Sequence, residues 1–437
     1  MDADSTLEMA ADEFNTEAFR KERDAVPLVY VKGSDTQLAA PNGKPSNLNK
    51  VQWQTVRTPA FKKYFGDWIR AFHKAFLGGR PVVSLTGDEF KSDGVPLTEK
   101  VTAWYQSEHG GSVTKPGLGE VVLNKQSVRD SLSHGLGRDK AAAFAAVPAL
   151  IRDGIYLDAQ SNWKGRNQDS VTIGAPIAIG GKNYVAVAIV LRDVNRNRFY
   201  LHEVVLRERL RTSFKTEASA NKNVALNGEA GAIRSLLQNI FNVNEKDVSK
   251  VVDENGEPLV VYHGTHITDV EIFHPNSHFG TLNAAHERLS HRIKNADKNV
   301  IPAFLSVRNP KRVEDVGSDP DSWEAVVEDA KTEGYDGLVY ENVWEDAGSD
   351  SWVAFEPTQI KSAIGNRGSY ESDNPNTLEM AATHDMSAIK HRDTGELATA
   401  AGTRRTAISS NSTTSKPTDS RCSSLRKCRD GRTTHSA

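Results

Sequence analysis

Residues 251–265 read VVDENGEPLVVYHGT. Asn255-Gly256 is a turn signature between two apolar runs, so the spacing predicts a hairpin, with Leu259 to Tyr262 as its second strand. That strand ends in His263-Gly264-Thr265. An imidazole at a strand end, followed at once by glycine, stands beside backbone that a flat ligand can approach closely. Downstream, Ser277-His278-Phe279-Gly280-Thr281 precedes a predicted helix through Ala284, Ala285 and Leu289. Ala303 to Asn309 reads as a strand ending in Asn-Pro, Gly334 to Tyr340 as a turn and strand, and Ser351 to Phe355 as another strand. Short strands interleaved with helices make residues 248–370 one α+β module.

Working outward toward the N-terminus, a second α+β module is expected over residues 52–210. It opens with VQWQTVRTPAFKKYFGDWIRAF at 51–72, where Trp53, Phe61, Phe65, Trp68, Ile69 and Phe72 recur at helical spacing and read as core. Val101 to Tyr105 is predicted helical, and Gly119 to Leu123 a short strand. Arg138 to Arg152 is a predicted helix interrupted or ended near Pro148. Strands follow at 170–173 and 175–179, at 183–191 after a Gly180-Gly181 turn, and at 199–206, giving a helix followed by an antiparallel meander. Residues 1–51 are expected to be a poorly ordered linker. Residues 211–247 read as a linker plus a helix, with Ile233, Leu236, Leu237 and Ile240 on one stripe. From 371 to 437 the Ser/Thr/Arg-rich composition predicts a disordered tail.

Composition narrows the classes of function. A net charge of -3 argues against nucleic-acid or membrane binding by the whole chain. The tail runs the other way: after Ala401 eight basic residues face two acidic ones. It holds no aromatic residue with which to stack bases. Both cysteines, Cys422 and Cys428, lie there, so no disulfide framework holds the modules, which fits a reducing compartment. The N-terminus lacks the basic start and apolar stretch of a signal peptide, and apolar runs such as Tyr184 to Leu191 are too short to span a bilayer. A cytoplasmic protein is expected. TLEMAA occurs at 6–11 and again at 377–382, like seams between units of a larger modular protein, which makes the chain readable as a fragment.

The order YHGT, HFGT, NP, GYDGLVYEN and VAFEPTQIKSA between residues 262 and 363 resembles the ADP-ribosyltransferase domain of phage and mobile-element polyvalent proteins. The resemblance implies a split-sheet transferase fold with NAD as substrate. It implies that His263 hydrogen-bonds the nicotinamide-side ribose, that the Gly264 backbone pairs with the carboxamide, and that Thr265 supports that loop. Phe279 then lines the nicotinamide face, with Gly280 and Thr281 completing the cofactor contacts. Breaking the nicotinamide–ribose bond passes through an oxocarbenium-like cation, which a fixed carboxylate stabilises by about 3 kcal/mol. Relatives often place a glutamate at the start of the last strand, before an aromatic residue. This chain has Ser351 before Trp352, so Asp350 and Glu341 are the candidate acids, while Glu356, before a proline, reads as solvent-facing. The expected function is transfer of ADP-ribose from NAD to a host macromolecule, protein or nucleic acid, in the cytoplasm of a bacterial host, a reading compatible with delivery by a phage or mobile element.

In the first module, residues 130–154, 162–166 and 198–206 resemble an associated domain that recurs in polyvalent proteins. The helix-then-sheet layout is similar to the barnase–EndoU–RelE nucleases at the level of fold analogy. That analogy makes His134 and His202 candidate acid and base, Lys140 and Arg166 candidate phosphate ligands, and Glu203 a partner that orients a histidine. Adjacent strand residues point to opposite faces, which opposes a shared site for His202 and Glu203. RNA cleavage by this module and a non-enzymatic interaction role are the alternative functions. Six histidines fall between 263 and 291, but no cysteine and no His-Glu-x-x-His pattern accompanies them, so no metal is expected.

Overall fold

The computed structural model describes residues 16–208, apart from 30, 32–33, 35, 92, 133–137, 161–164, 166–167 and 194–197. It also describes residues 229–377, apart from 268–269, 293–298, 318, 367–369 and 371–372, and the pairs 389–390 and 397–398. The molecule is α+β and built as two modules.

The aromatic segment forms three helices. After α1 (Glu17–Asp24) come α2 (Lys50–Thr55), α3 (Pro59–Phe65) and α4 (Trp68–Gly78). Thr58 caps α3 ahead of Pro59, and Asp67 caps α4. Between them Gly66 sits at φ 88°, and a Cβ there would meet Asp247 O at 2.5 Å, so only glycine fits. Trp53, Phe61, Phe65 and Trp68 form a core with Val248, Phe304 and Ala363. The segment therefore packs on the second module. Phe19, Leu38 and Leu48, expected in a loose linker, are buried as well. Arg57 and Glu257 make an ion pair of 2.5 Å in this contact, with the guanidinium 3.6 Å from the Trp53 ring centre.

The other module is thus inserted between two parts of one core. Its elements are β1 (Val83–Leu85), α5 (Leu97–His109), β2 (Ser112–Lys115), β3 (Gly119–Val122), α6 (Lys125–Leu132), α7 (Arg138–Asp153), β4 (Ile155–Gln160), β5 (Gln168–Ile179), β6 (Lys182–Asp193) and β7 (Arg198–Glu208). Strand order is β1-β5-β6-β7-β3-β2, with β4 also on β5. One face packs Ile173, Val190 and Leu201 against Tyr105, Phe144 and Leu150 of the helices. The other face packs Val187 and Ile189 against Leu77 of α4 and against Ile233 and Leu237 of α8 (Glu229–Phe241). The two expected strands at 170–179 are one, and Gly174 within it is small because Leu157 lies against it, 2.5 Å from where a Cβ would be. Pro148 does not end α7. Its missing N–H leaves the Phe144 carbonyl without its helical donor, and the Tyr105 hydroxyl donates there at 2.9 Å.

The second module has a split sheet. β8 (Val261–Thr265), β9 (Ser277–Phe279), α9 (Leu282–Arg292), β10 (Asn299–Leu305), β11 (Pro310–Val313), α10 (Pro320–Thr332), β12 (Gly337–Glu341), β13 (Asp350–Ala354) and β14 (Ile360–Ser362) make two sheets, ordered β14-β10-β8 and β11-β12-β13-β9. Tyr262 and Gly280 join them through two backbone hydrogen bonds of 2.8 and 3.0 Å. The expected hairpin at 251–262 reduces to one bridge, Val252 with Pro258. Asn376 and Thr377, assigned to a disordered tail by composition, are buried, and the Thr377 N–H donates to Glu271 O. Ile389–Lys390 pairs with Leu397–Ala398 in a separate unit. Apart from Thr377, both TLEMAA copies lie outside the described residues. Among the described residues no helix is long and apolar enough to cross a membrane.

Candidate functional site

The joint between the two sheets opens into a cleft of about 1020 Å³. His263, at the end of β8, lines it, and its Nδ1 donates to the His278 carbonyl at 2.7 Å. That bond and ring contacts to Phe273 and Phe279, at 5.2 and 5.4 Å between centres, fix the imidazole plane. Gly264, Thr265, Phe279 and Gly280 line the same cleft. Local needs explain several of these identities. A Cβ on Gly264 would meet Ala285 O of α9 at 2.5 Å, and one on Gly280 would meet Ser351 Oγ at 2.5 Å. Phe279 is 1% exposed and belongs to the core as well as the cleft wall. Thr265 Oγ1 accepts from the Ile267 N–H, which braces the loop after the strand. Thr281 is spent elsewhere: its hydroxyl accepts from Ala284 N, capping α9, and donates to Asp346.

The two candidate acids are not brought to the cleft. Asp350 and Glu341 face each other across β13 and β12 and are exposed, and Arg312 grips Asp350 with two bonds of 2.9 and 2.8 Å. Strand alternation turns Ser351 inward instead, where it is buried and accepts from Asn342 Nδ2 at 2.6 Å. Among the described residues, the carboxylates that line the cleft are Glu271, Asp315, Glu324 and Glu345, against the guanidinium of Arg288. Arg288 and Glu345 pair at 3.2 Å.

Sequence reading did not find α10, which brings Trp323 to the cleft. Its signals were present: Asp319 before Pro320, then Trp323, Val326, Val327 and Ala330 at helical spacing. Trp323 packs edge-on to His278 and tilted against Tyr340, each at 4.7 Å. His278 Nδ1 and the Tyr340 hydroxyl share a 3.0 Å hydrogen bond. Burial, with Arg288 and His263 adding repulsion, holds the His278 imidazole down at about 4, and burial lowers His73 to about 4 too. The unfolded chain takes up these protons below about 6.5 and the folded chain only near 4, so stability falls as pH drops through that window. Each ring is expected to remove about 2 kcal/mol by pH 5. Urea midpoints at pH 7 and pH 5 check this; equal midpoints contradict it.

The candidate nuclease residues do not form a described site. His134 and Arg166 lie outside the described residues, as does the side chain of Lys140. His202 occupies a bulge opposite Ile189 and Val190 and faces Asp130 at 3.5 Å. Glu203 is 1% exposed and pairs in register with Ile189, whose side chain belongs to the opposite face from Val204.

The split sheet, with His263 at its parting strand and the cleft between its halves, falls within one matched segment of the chain. Residues 253–370 match the family described as ADP-ribosyltransferase in polyvalent proteins, and residues 95–200 match large polyvalent protein-associated domain 3. The two matches place an ADP-ribosyltransferase-family segment after a large polyvalent protein-associated segment in the same chain. No curated protein and no solved structure matches it.

Proposed function

We propose that the cleft binds NAD and that this domain transfers ADP-ribose from it to a host macromolecule in the cytoplasm of a bacterial host. The observation that carries the reading is His263, held rigidly by the His278 carbonyl at the mouth of a cleft large enough for a dinucleotide. His263 hydrogen-bonds the nicotinamide-side ribose. The Gly264 backbone and the Phe279 ring hold the nicotinamide. Arg288 is the cation for the pyrophosphate.

Asp350 and Glu341 stand outside the cleft, and of the carboxylates that line it Glu345 is the one paired with Arg288, so we assign the charge-stabilising role to Glu345. Pyrophosphate binding at Arg288 competes with the Arg288–Glu345 pair and releases the carboxylate toward the ribose. Val343 and Trp344, 59% and 71% exposed in the loop that carries Glu345, favour a macromolecular acceptor docking at the rim. Glu345→Gln is expected to slow nicotinamide release by about 10²-fold while leaving NAD affinity within a few-fold. Single-turnover release measured beside equilibrium binding checks it, and an unchanged rate removes Glu345 from the mechanism.

A further inference from the structure

We infer that residues 373–377, just beyond the segment 253–370 matched to the transferase family, form a strap that fixes one wall of the cleft for NAD, with Lys361 as its positioning residue. The strap's role rests on the NAD reading of the same cleft. The wall is the loop between β8 and β9, where Glu271, Ile272 and Phe273 line the cleft. Phe273 packs on His263 and on Phe279, 5.2 Å from each ring centre, so the position of this loop sets the surroundings of the imidazole. Glu271 and Ile272 are exposed, Ile272 by 54%, so burial does not hold this part of the wall. The strap does. The Thr377 N–H and hydroxyl donate to the Glu271 carbonyl at 2.8 and 3.2 Å, and Asn376 bridges Ile272.

On its other side the strap is tied to the sheet. The Ser362 N–H of β14 and Asn366 Nδ2 each donate to the Thr377 carbonyl at 3.1 Å. Thr377 therefore joins the edge of the β14-β10-β8 sheet to the cleft wall through both of its own backbone groups. Lys361, one residue earlier on β14, is fully buried. Its ammonium donates to the Asn374 carbonyl at 2.6 Å and the Asn376 carbonyl at 3.4 Å, and lies 5.4 Å from the Tyr64 ring centre of α3. A buried ammonium is stable only with acceptors close by, and the strap brings two of its carbonyls to this one. Lysine and strap hold each other in place. A wall fixed beforehand lets NAD bind without first ordering that loop, so the strap acts on affinity more than on bond breaking.

The test compares the full chain with Lys361→Met, which removes the ammonium at similar length, and Thr377→Pro, which removes the two donors to Glu271 and keeps the carbonyl. NAD binding at equilibrium, single-turnover nicotinamide release and amide hydrogen exchange over residues 271–279 are measured on each. Both variants are expected to bind NAD about tenfold more weakly, with release from the saturated complex within about threefold of the unaltered chain. The double variant is expected to lose no more than either single one, because both changes cut the same link. Exchange over 271–279 is expected to quicken in both, while β12 and β13 exchange as before. Should Lys361→Met fail to fold, Thr377→Pro carries the test alone. In a chain that binds NAD, unchanged affinity and exchange overturn the strap, and so does a loss confined to the saturated rate. If the unaltered chain binds no NAD, the NAD reading fails, and quickened exchange over 271–279 still shows that the strap holds the wall.

Discussion

Purified His263→Ala protein is expected to release nicotinamide from NAD about 10²-fold more slowly than the unaltered chain, the loss typical of removing one preorganised hydrogen-bonding group from a transition state. The imidazole is placed by two independent constraints, the His278 carbonyl on one ring nitrogen and the Phe273 and Phe279 rings on its faces and edges. The substitution removes the proposed ribose contact and also the bond between His263 of β8 and the His278 carbonyl of β9. His263→Gln, which keeps a hydrogen-bonding side chain without the ring, is expected to recover part of the rate. Nicotinamide quantified by chromatography over time is the readout. A rate equal to wild type in His263→Ala places the chemistry elsewhere.

The second large effect concerns stability. Glu257 is fully buried and Arg57 nearly so, and they meet at 2.5 Å where the N-terminal helices clasp the transferase domain. Burial outweighs their mutual attraction on both sides: it raises the Glu257 carboxyl above the usual carboxylate range and brings Arg57 down to about 10. Such a pair is costly to assemble and costlier to break. Glu257→Ala strands a buried guanidinium and is expected to destabilise by about 3–5 kcal/mol, whereas replacing both partners with Met or Leu is expected to be near neutral. Urea unfolding of the single and double variants separates the two. A double variant as unstable as Glu257→Ala contradicts the account, because the loss would then come from packing.

This clasp also marks where sequence reading stopped. The strand at His263, the two-glycine hairpin at 180–181 and the 183–191 strand were legible because local turn chemistry and apolar runs determine them. The partner of Trp53, Phe61 and Trp68 was not. Helical spacing shows that a face is buried, but says nothing about which of two modules buries it, and the insertion places that partner some two hundred residues away. Pro148 misled for a related reason. The hydroxyl that repairs its helix comes from Tyr105, on a different helix. At the site, the family-like order of motifs located the cleft and its histidine. It did not locate the carboxylates, because Asp350 and Ser351 are neighbours in sequence and face opposite ways on the strand. The acids that do line the cleft come from loops and from α10, which follow no strand periodicity.

The central claim is that NAD occupies the cleft between the split halves of the sheet. A crystal structure of the full chain soaked with NAD or a non-cleavable analogue tests it directly. The account predicts density with the nicotinamide between Gly264 and Phe279, the adjoining ribose on His263 and the pyrophosphate at Arg288. A dinucleotide bound away from His263, or a cleft left empty at saturating ligand, would contradict it.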